Sequence, residues 1–197
     1  MITATGRVFC QFQFDGYTDE IFPVEFVKVS LKDKDAIIHD TFGTTQTNSS
    51  GYFEVSGSAS DLFGNPDPFI EVEYKYTGIY GEMEVENELL GINRREKTKT
   101  KTANAYLDFG DLIYDNHHCR SYIQTLRAMR NFHQRTTQSL PYNCLKVITS
   151  EIGIPFATVN KIRIPSYFNY TFSTAKHELA HTVRQSLVSL CTSVFFS

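Results

Sequence analysis

Apolar and polar side chains alternate with period two over most of the first ~115 residues. Such alternation marks strands with one face buried and one face wet. In Gly6–Phe14, Val8, Cys10, Phe12 and Phe14 face one way and Arg7, Gln11 and Gln13 the other, with Phe9 the exception. Val24–Leu31 repeats the pattern. Short extended pieces follow at Ala36–Phe42, Gly43–Thr47 and Tyr52–Val55, with a turn at Asn48–Gly51. The run Asn65-Pro-Asp-Pro breaks the chain before Phe69–Tyr76, where Ile70, Val72, Tyr74 and Tyr76 share a face. Glu82–Leu89 alternates as well, and Ala103–Tyr114, bent at Gly110, closes the series. Seven or eight short strands with turn signals between them predict an antiparallel β-sandwich over residues 1–115.

At Asp115–His118 the period changes. Cys119, Tyr122, Ile123, Leu126, Met129 and His133 recur at helical spacing and predict a helix over Asn116–Thr137, with Arg120, Arg127, Arg130 and Arg135 outward. Two strands, Leu145–Thr149 and Thr158–Ile164, follow around Gly153 and Pro155, and the aromatic stretch Tyr167–Phe172 leads into a last helix. That helix, Thr174–Leu187, has Ser173 as its N-cap and a stripe of Leu179, Ala180, Val183 and Leu187. The fold class expected is α+β, with residues 116–197 as a second domain.

Composition changes this picture little. Hydrophobic residues at 41% and charged residues at 21% of 197 fit a globular chain. A net charge of -3 argues against a broad nucleic-acid surface, and no apolar run is long enough to span a bilayer. The start lacks the apolar core of a signal peptide, so the compartment stays open. The four cysteines, Cys10, Cys119, Cys144 and Cys191, show no C-x-x-C spacing. Glycosylation triplets stand at Asn48 and Asn169. Asp33, Asp35 and Asp40 read as solvated turn acids rather than calcium ligands, because no twelve-residue EF-hand pattern surrounds them. The basic stretch Asn93–Thr102 reads as a protected strand edge or an exposed loop. His117 and His118 read as a solvated pair, and His133 as a satisfied, part-buried histidine.

One constellation has catalytic spacing: His177, Glu178 and His181 in HELAH. Residues i and i+4 lie one turn apart on a helix, so two imidazoles can meet one zinc ion while Glu178 takes a proton from a water activated by that ion. The segment HELAHTVR resembles the active-site helix of zincin metallopeptidases. That resemblance implies His177 and His181 as zinc ligands, Glu178 as general base and a peptide or protein as substrate. The order helix, strand, strand, HExxH helix agrees with a zincin upper subdomain. There the edge strand, here taken as Thr158–Ile164, pairs with extended substrate. The chain departs from the pattern in its third ligand. Arg184 and Leu187 occupy the places where a metzincin has Gly and His, and no His, Asp or Glu follows His181. With Ser197 as the last residue, the expectation is a zincin subdomain cut short at its C-terminus.

A second resemblance covers roughly Gly6–Tyr114. GRVFC, LKDKD (Leu31–Asp35), TQTNSSGYFEVSG (Thr45–Gly57), DPFIEVEYKY (Asp67–Tyr76) and LDFGDL (Leu107–Leu112) are similar in order to the transthyretin-like domain of secreted animal proteins. It implies a sandwich that binds partners or small ligands, or serves as a structural module. The two functional expectations are therefore a zinc-dependent peptidase-like protein and a non-enzymatic transthyretin-like module.

Overall fold

Alternation along the strands builds most of the structure. The computed structural model describes residues 1–12, 20–34, 40–58, 67–87, 95–98, 106–140, 144–150, 154–165 and 174–184. In chain order the strands are β1 (Ile2–Phe12), β2 (Glu20–Pro23), β3 (Lys28–Asp33), β4 (Thr41–Gln46), β5 (Tyr52–Gly57), β6 (Pro68–Glu73), β7 (Lys75–Gly78), β8 (Gly81–Asn87), β9 (Arg95–Lys97) and β10 (Tyr106–Tyr114). Helix α1 (His117–Thr136) follows, then β11 (Leu145–Ser150), β12 (Phe156–Thr158) and β13 (Lys161–Pro165). A helix over residues 174–184, α2, comes last. The chain divides into two units: Met1–Tyr74 with Arg95–Asn116, and Lys75–Arg94 with His117–Ser197.

Among the described residues the first unit is a β-sandwich of two four-stranded sheets. In one, β1 pairs antiparallel with β5 through its first half and with β2 through its second. Its other edge pairs with β10 in parallel, a departure from the all-antiparallel expectation. No tight turn joins these two strands, which lie far apart in sequence, so local chemistry does not dictate their direction. The register slips between Thr5 and Arg7, opposite Gly110 at φ 64°. This is a bulge with glycine in the left-handed region. Ala4, Val8, Cys10 and Phe12 are buried on one face of β1, as the alternation requires.

The second sheet runs β4-β3-β6-β9, antiparallel throughout. Val29, Leu31, Ile70 and Val72 are fully buried on one face. Each contributes on the order of 1.5–3 kcal/mol by leaving water. The opposite face carries a charge ladder. Glu71 and Glu73, 1% and 4% exposed, meet Lys32 (2.6 Å), Lys28 (2.9 Å), Arg95 and Lys97. The basic stretch expected at a strand edge thus supplies β9, whose Arg95 and Lys97 ion-pair with β6. Asp33 is not solvated as expected. It is 2% exposed, and its Oδ1 accepts hydrogen bonds from the backbone amides of Lys34 (2.8 Å) and Asp67 (2.7 Å). Asp40 is exposed, and Asp35 lies outside the described residues.

The second unit holds a mixed sheet, β12-β13-β11-β8-β7. β8, β11 and β13 are parallel, and β7 and β12 run antiparallel at its two ends. Parallel neighbours need a crossover, and α1 lies in the one between β8 and β11, packing on both. The helix runs close to its expected limits and buries Cys119, Tyr122, Ile123, Leu126 and Met129. The strand expected over Phe69–Tyr76 divides between the two units, β6 in the first and β7 in the second. Likewise Thr158–Ile164 is not an edge strand. A turn at Val159–Asn160 folds β12 back onto β13, so β13 is interior and β12 is the terminal strand among the described residues. No helix among the described residues is long and apolar enough to cross a membrane.

Candidate functional site

Helix α2 presents two faces. Ala175, Glu178, Leu179 and Thr182 are buried, at 0%, 7%, 3% and 0% exposure. Lys176, His177, Ala180, His181 and Arg184 are exposed. The expected apolar stripe holds at Leu179, while Ala180 turns to solvent and Val183 is half-buried. Ser173, Leu187, the aromatic stretch 167–172 and the tail 188–197 lie outside the described residues, as do Asn169 and Cys191.

The rings of His177 and His181 meet edge to face, with centroids 4.6 Å apart. Their Nε2 atoms stand 3.1 Å apart, so one donates a hydrogen bond and the other accepts it. A tetrahedral zinc ion with two Zn–N bonds of about 2.0–2.1 Å needs its nitrogens roughly 3.3 Å apart. The donor pair is therefore of the right kind, with nearly the right spacing, on a face open to solvent. Glu178 falls on the flank of this pair. At 100° per residue it sits about 60° around the helix from His181, toward the buried side. Among the described residues no group of three His, Cys, Asp or Glu is placed to hold a metal ion.

The other histidines do different work. His117 is not solvated: its Nε2 donates to the carbonyl of Ile164 at 3.0 Å, and burial holds its pKa below the ordinary value. The His117 and His118 rings lie 6.1 Å apart, as neighbours on a helix must. His133 is part-buried, with Nδ1 bonded to the Gln138 carbonyl at 3.1 Å. Cys144 is a free thiol, pushed up to about 11 by burial and by Glu84.

A further feature had no signal in the sequence. On the sandwich, Thr5, Arg7, Tyr52, Tyr106, Asp108 and Asp111 line an open cavity of about 290 Å³. They come from β1, β5 and β10, and only the pairing of those strands gathers them. The Tyr106 and Thr5 hydroxyls are 3.0 Å apart, Tyr52 donates to Glu54 at 3.1 Å, and Asp108 accepts from the Gly110 amide at 2.8 Å. A methyl group on Gly6 would lie 2.9 Å from the Phe53 ring and 3.0 Å from the Gly110 carbonyl, so this close strand approach requires glycine.

The family match covers part of the sandwich. Residues 5–78 match the sequence model of the Transthyretin-like family (TTR-52). The first part of the chain is thus similar to that family, and the match ends well before the HELAH helix. No curated protein matches the chain. Among solved structures, a 9R-lipoxygenase from Cyanothece overlaps 57% of this chain and 16% of its own, at 16% identity and a TM-score of 0.36. The major plantain pollen allergen Pla l 1 overlaps 59% of this chain and 94% of its own, at 14% identity and 0.33. An (S)-allantoin synthase overlaps 57% and 41%, at 13% identity and 0.25. This chain thus spans less than half the length of the lipoxygenase and of the synthase. At these TM-scores the overlaps carry no argument.

Proposed function

We propose that helix α2 carries a zinc-dependent hydrolytic centre directed at peptide bonds, with His177 and His181 as ligands and Glu178 as general base. The observation that supports it is the 3.1 Å approach of the two Nε2 atoms on an exposed face. When bound, zinc supplies Lewis acidity toward a carbonyl and brings the pKa of a coordinated water to about 7. The rest falls to this chain's residues. Each imidazole offers Nε2 in its neutral form. The Glu178 carboxylate accepts a proton from the attacking water and returns it to the leaving amine.

Two histidines hold zinc more loosely than the three protein ligands usual in catalytic sites. Zinc content by plasma mass spectrometry is therefore the first test, on the wild-type chain and on His177→Ala. Equal zinc in both would remove the site. Hydrolysis of a quenched fluorescent peptide pool comes second, with Glu178→Gln expected to keep zinc and lose turnover. Zinc without hydrolysis in the wild type would refute the base assignment and favour a second reading, a non-enzymatic transthyretin-like binding or structural module. That reading is supported by the family match over residues 5–78.

A further inference from the structure

Between β4 and β5 the chain turns through Asn48–Gly51, and the Asn48 side chain is exposed. The turn is tied by its backbone: Asn48 N donates to the Tyr52 carbonyl at 2.8 Å, and Gly51 N donates to the Asn48 carbonyl at 3.0 Å. The Asn48 carboxamide adds three more bonds. Its Oδ1 accepts from the Ser50 amide (2.9 Å), the Ser50 hydroxyl (2.8 Å) and the Tyr52 amide (3.1 Å). Backbone amides only donate, so the atom they meet must be the carbonyl oxygen. The nitrogen Nδ2 is then the other end, and it makes no hydrogen bond among the described residues. Asn48-Ser49-Ser50 is also an N-x-[ST] triplet without proline.

We propose that Asn48 is an N-glycosylation site. Three independent features point there. The triplet sits on a surface turn. Among the described residues the structural duty of the carboxamide rests on Oδ1, so a sugar on Nδ2 removes no hydrogen bond between them. Finally, Cys10 and Cys119, both fully buried, each take part in a disulfide. Disulfides of this kind form in oxidising compartments such as the lumen of the endoplasmic reticulum, where such triplets are used. The donor is an oligosaccharide on a polyprenyl pyrophosphate. The bond between sugar C1 and the pyrophosphate oxygen breaks, and a C1–Nδ2 bond forms. Nδ2 gives up one proton, and the lipid pyrophosphate leaves as the anion, with no change of oxidation state.

The test directs the full chain into the endoplasmic reticulum of a eukaryotic host. The purified product is released with peptide-N-glycosidase in water enriched in ¹⁸O and mapped by mass spectrometry. The expected result is Asn48 converted to ¹⁸O-labelled Asp. Ser50→Ala, which keeps both backbone bonds to Asn48 Oδ1, is expected to abolish that label. Asn169→Gln, which removes the other triplet, is expected to leave it unchanged. Recovery of the Asn48 peptide wholly unmodified from the wild-type chain would overturn the proposal, as would an unchanged label in Ser50→Ala.

Discussion

Replacing Glu71 by Gln tests whether the charge ladder on the second sandwich sheet stabilises the fold. Glu71 is 1% exposed, accepts from Lys32 at 2.6 Å and Arg95 at 3.3 Å, and ion-pairs with Lys97 at 3.6 Å. Gln keeps the shape and removes the charge. Lys32, with a side chain only 14% exposed, then keeps its positive charge with little water to replace the lost partner. Breaking a fully buried pair costs about 3–5 kcal/mol. Arg95 and Lys97, at 46% and 49%, can turn to solvent, so the expected loss is lower, about 2 kcal/mol. The pH dependence follows from the same geometry. Burial pushes the Glu71 carboxyl up, but Lys32, Arg95 and Lys97 together pull it further down, below its ordinary value. A depressed carboxyl stabilises the fold above its unfolded value, about 4.3, and that contribution is lost as pH falls through the folded value. Urea titrations followed by circular dichroism measure both effects. The gap between wild type and Glu71→Gln should be widest near pH 7 and close on acidification, because protonated Glu resembles Gln. A gap below about 0.5 kcal/mol at pH 7, the usual scale for surface changes, would refute the reasoning, as would one that persists in acid.

Other residues offer sharper single-site tests. Thr47 is 1% exposed, donates to the Val24 carbonyl at 2.6 Å and accepts from the Val27 amide at 3.0 Å. Thr47→Val leaves both polar groups without their hydroxyl partner and should cost about 2 kcal/mol in a urea titration. Gly51, at φ 77°, would carry a Cβ 2.5 Å from the Val8 carbonyl oxygen, so Gly51→Ala should cost at least about 2 kcal/mol, read as a lowered urea midpoint. With its thiol pushed up to about 11, Cys144 holds on the order of one thiolate in a thousand at pH 8. Brief iodoacetamide treatment of the native chain should therefore leave it unlabelled by mass spectrometry, whereas urea should expose it. Cys10 and Cys119 should label only after reduction.

What the sequence makes legible is what local spacing controls. Val8, Cys10 and Phe12 alternate, and the strand they predict exists with that face buried. His177 and His181 are four apart, and one helical turn brings their nitrogens together whatever else the chain does. Partnership across sheets is another matter. The run Phe69–Tyr76 reads as one strand because its alternation hardly falters. Nothing local says that Val72 will pair in the sandwich while Tyr76 pairs with Met83 in the other unit's sheet. The cavity beside Arg7 fails for the same reason, since three strands distant in sequence must pair before its lining exists. Asp33 and His117 looked solvated because polar residues in turns and first helical turns usually are. Each is instead spent on backbone groups far along the chain, at Asp67 and Ile164. Glu178 shows the limit within a helix. Periodicity places it beside the histidines, but the surface that buries it comes from elsewhere in the chain. Its burial bears on the proposed chemistry, because a general base must come within reach of the proton it takes.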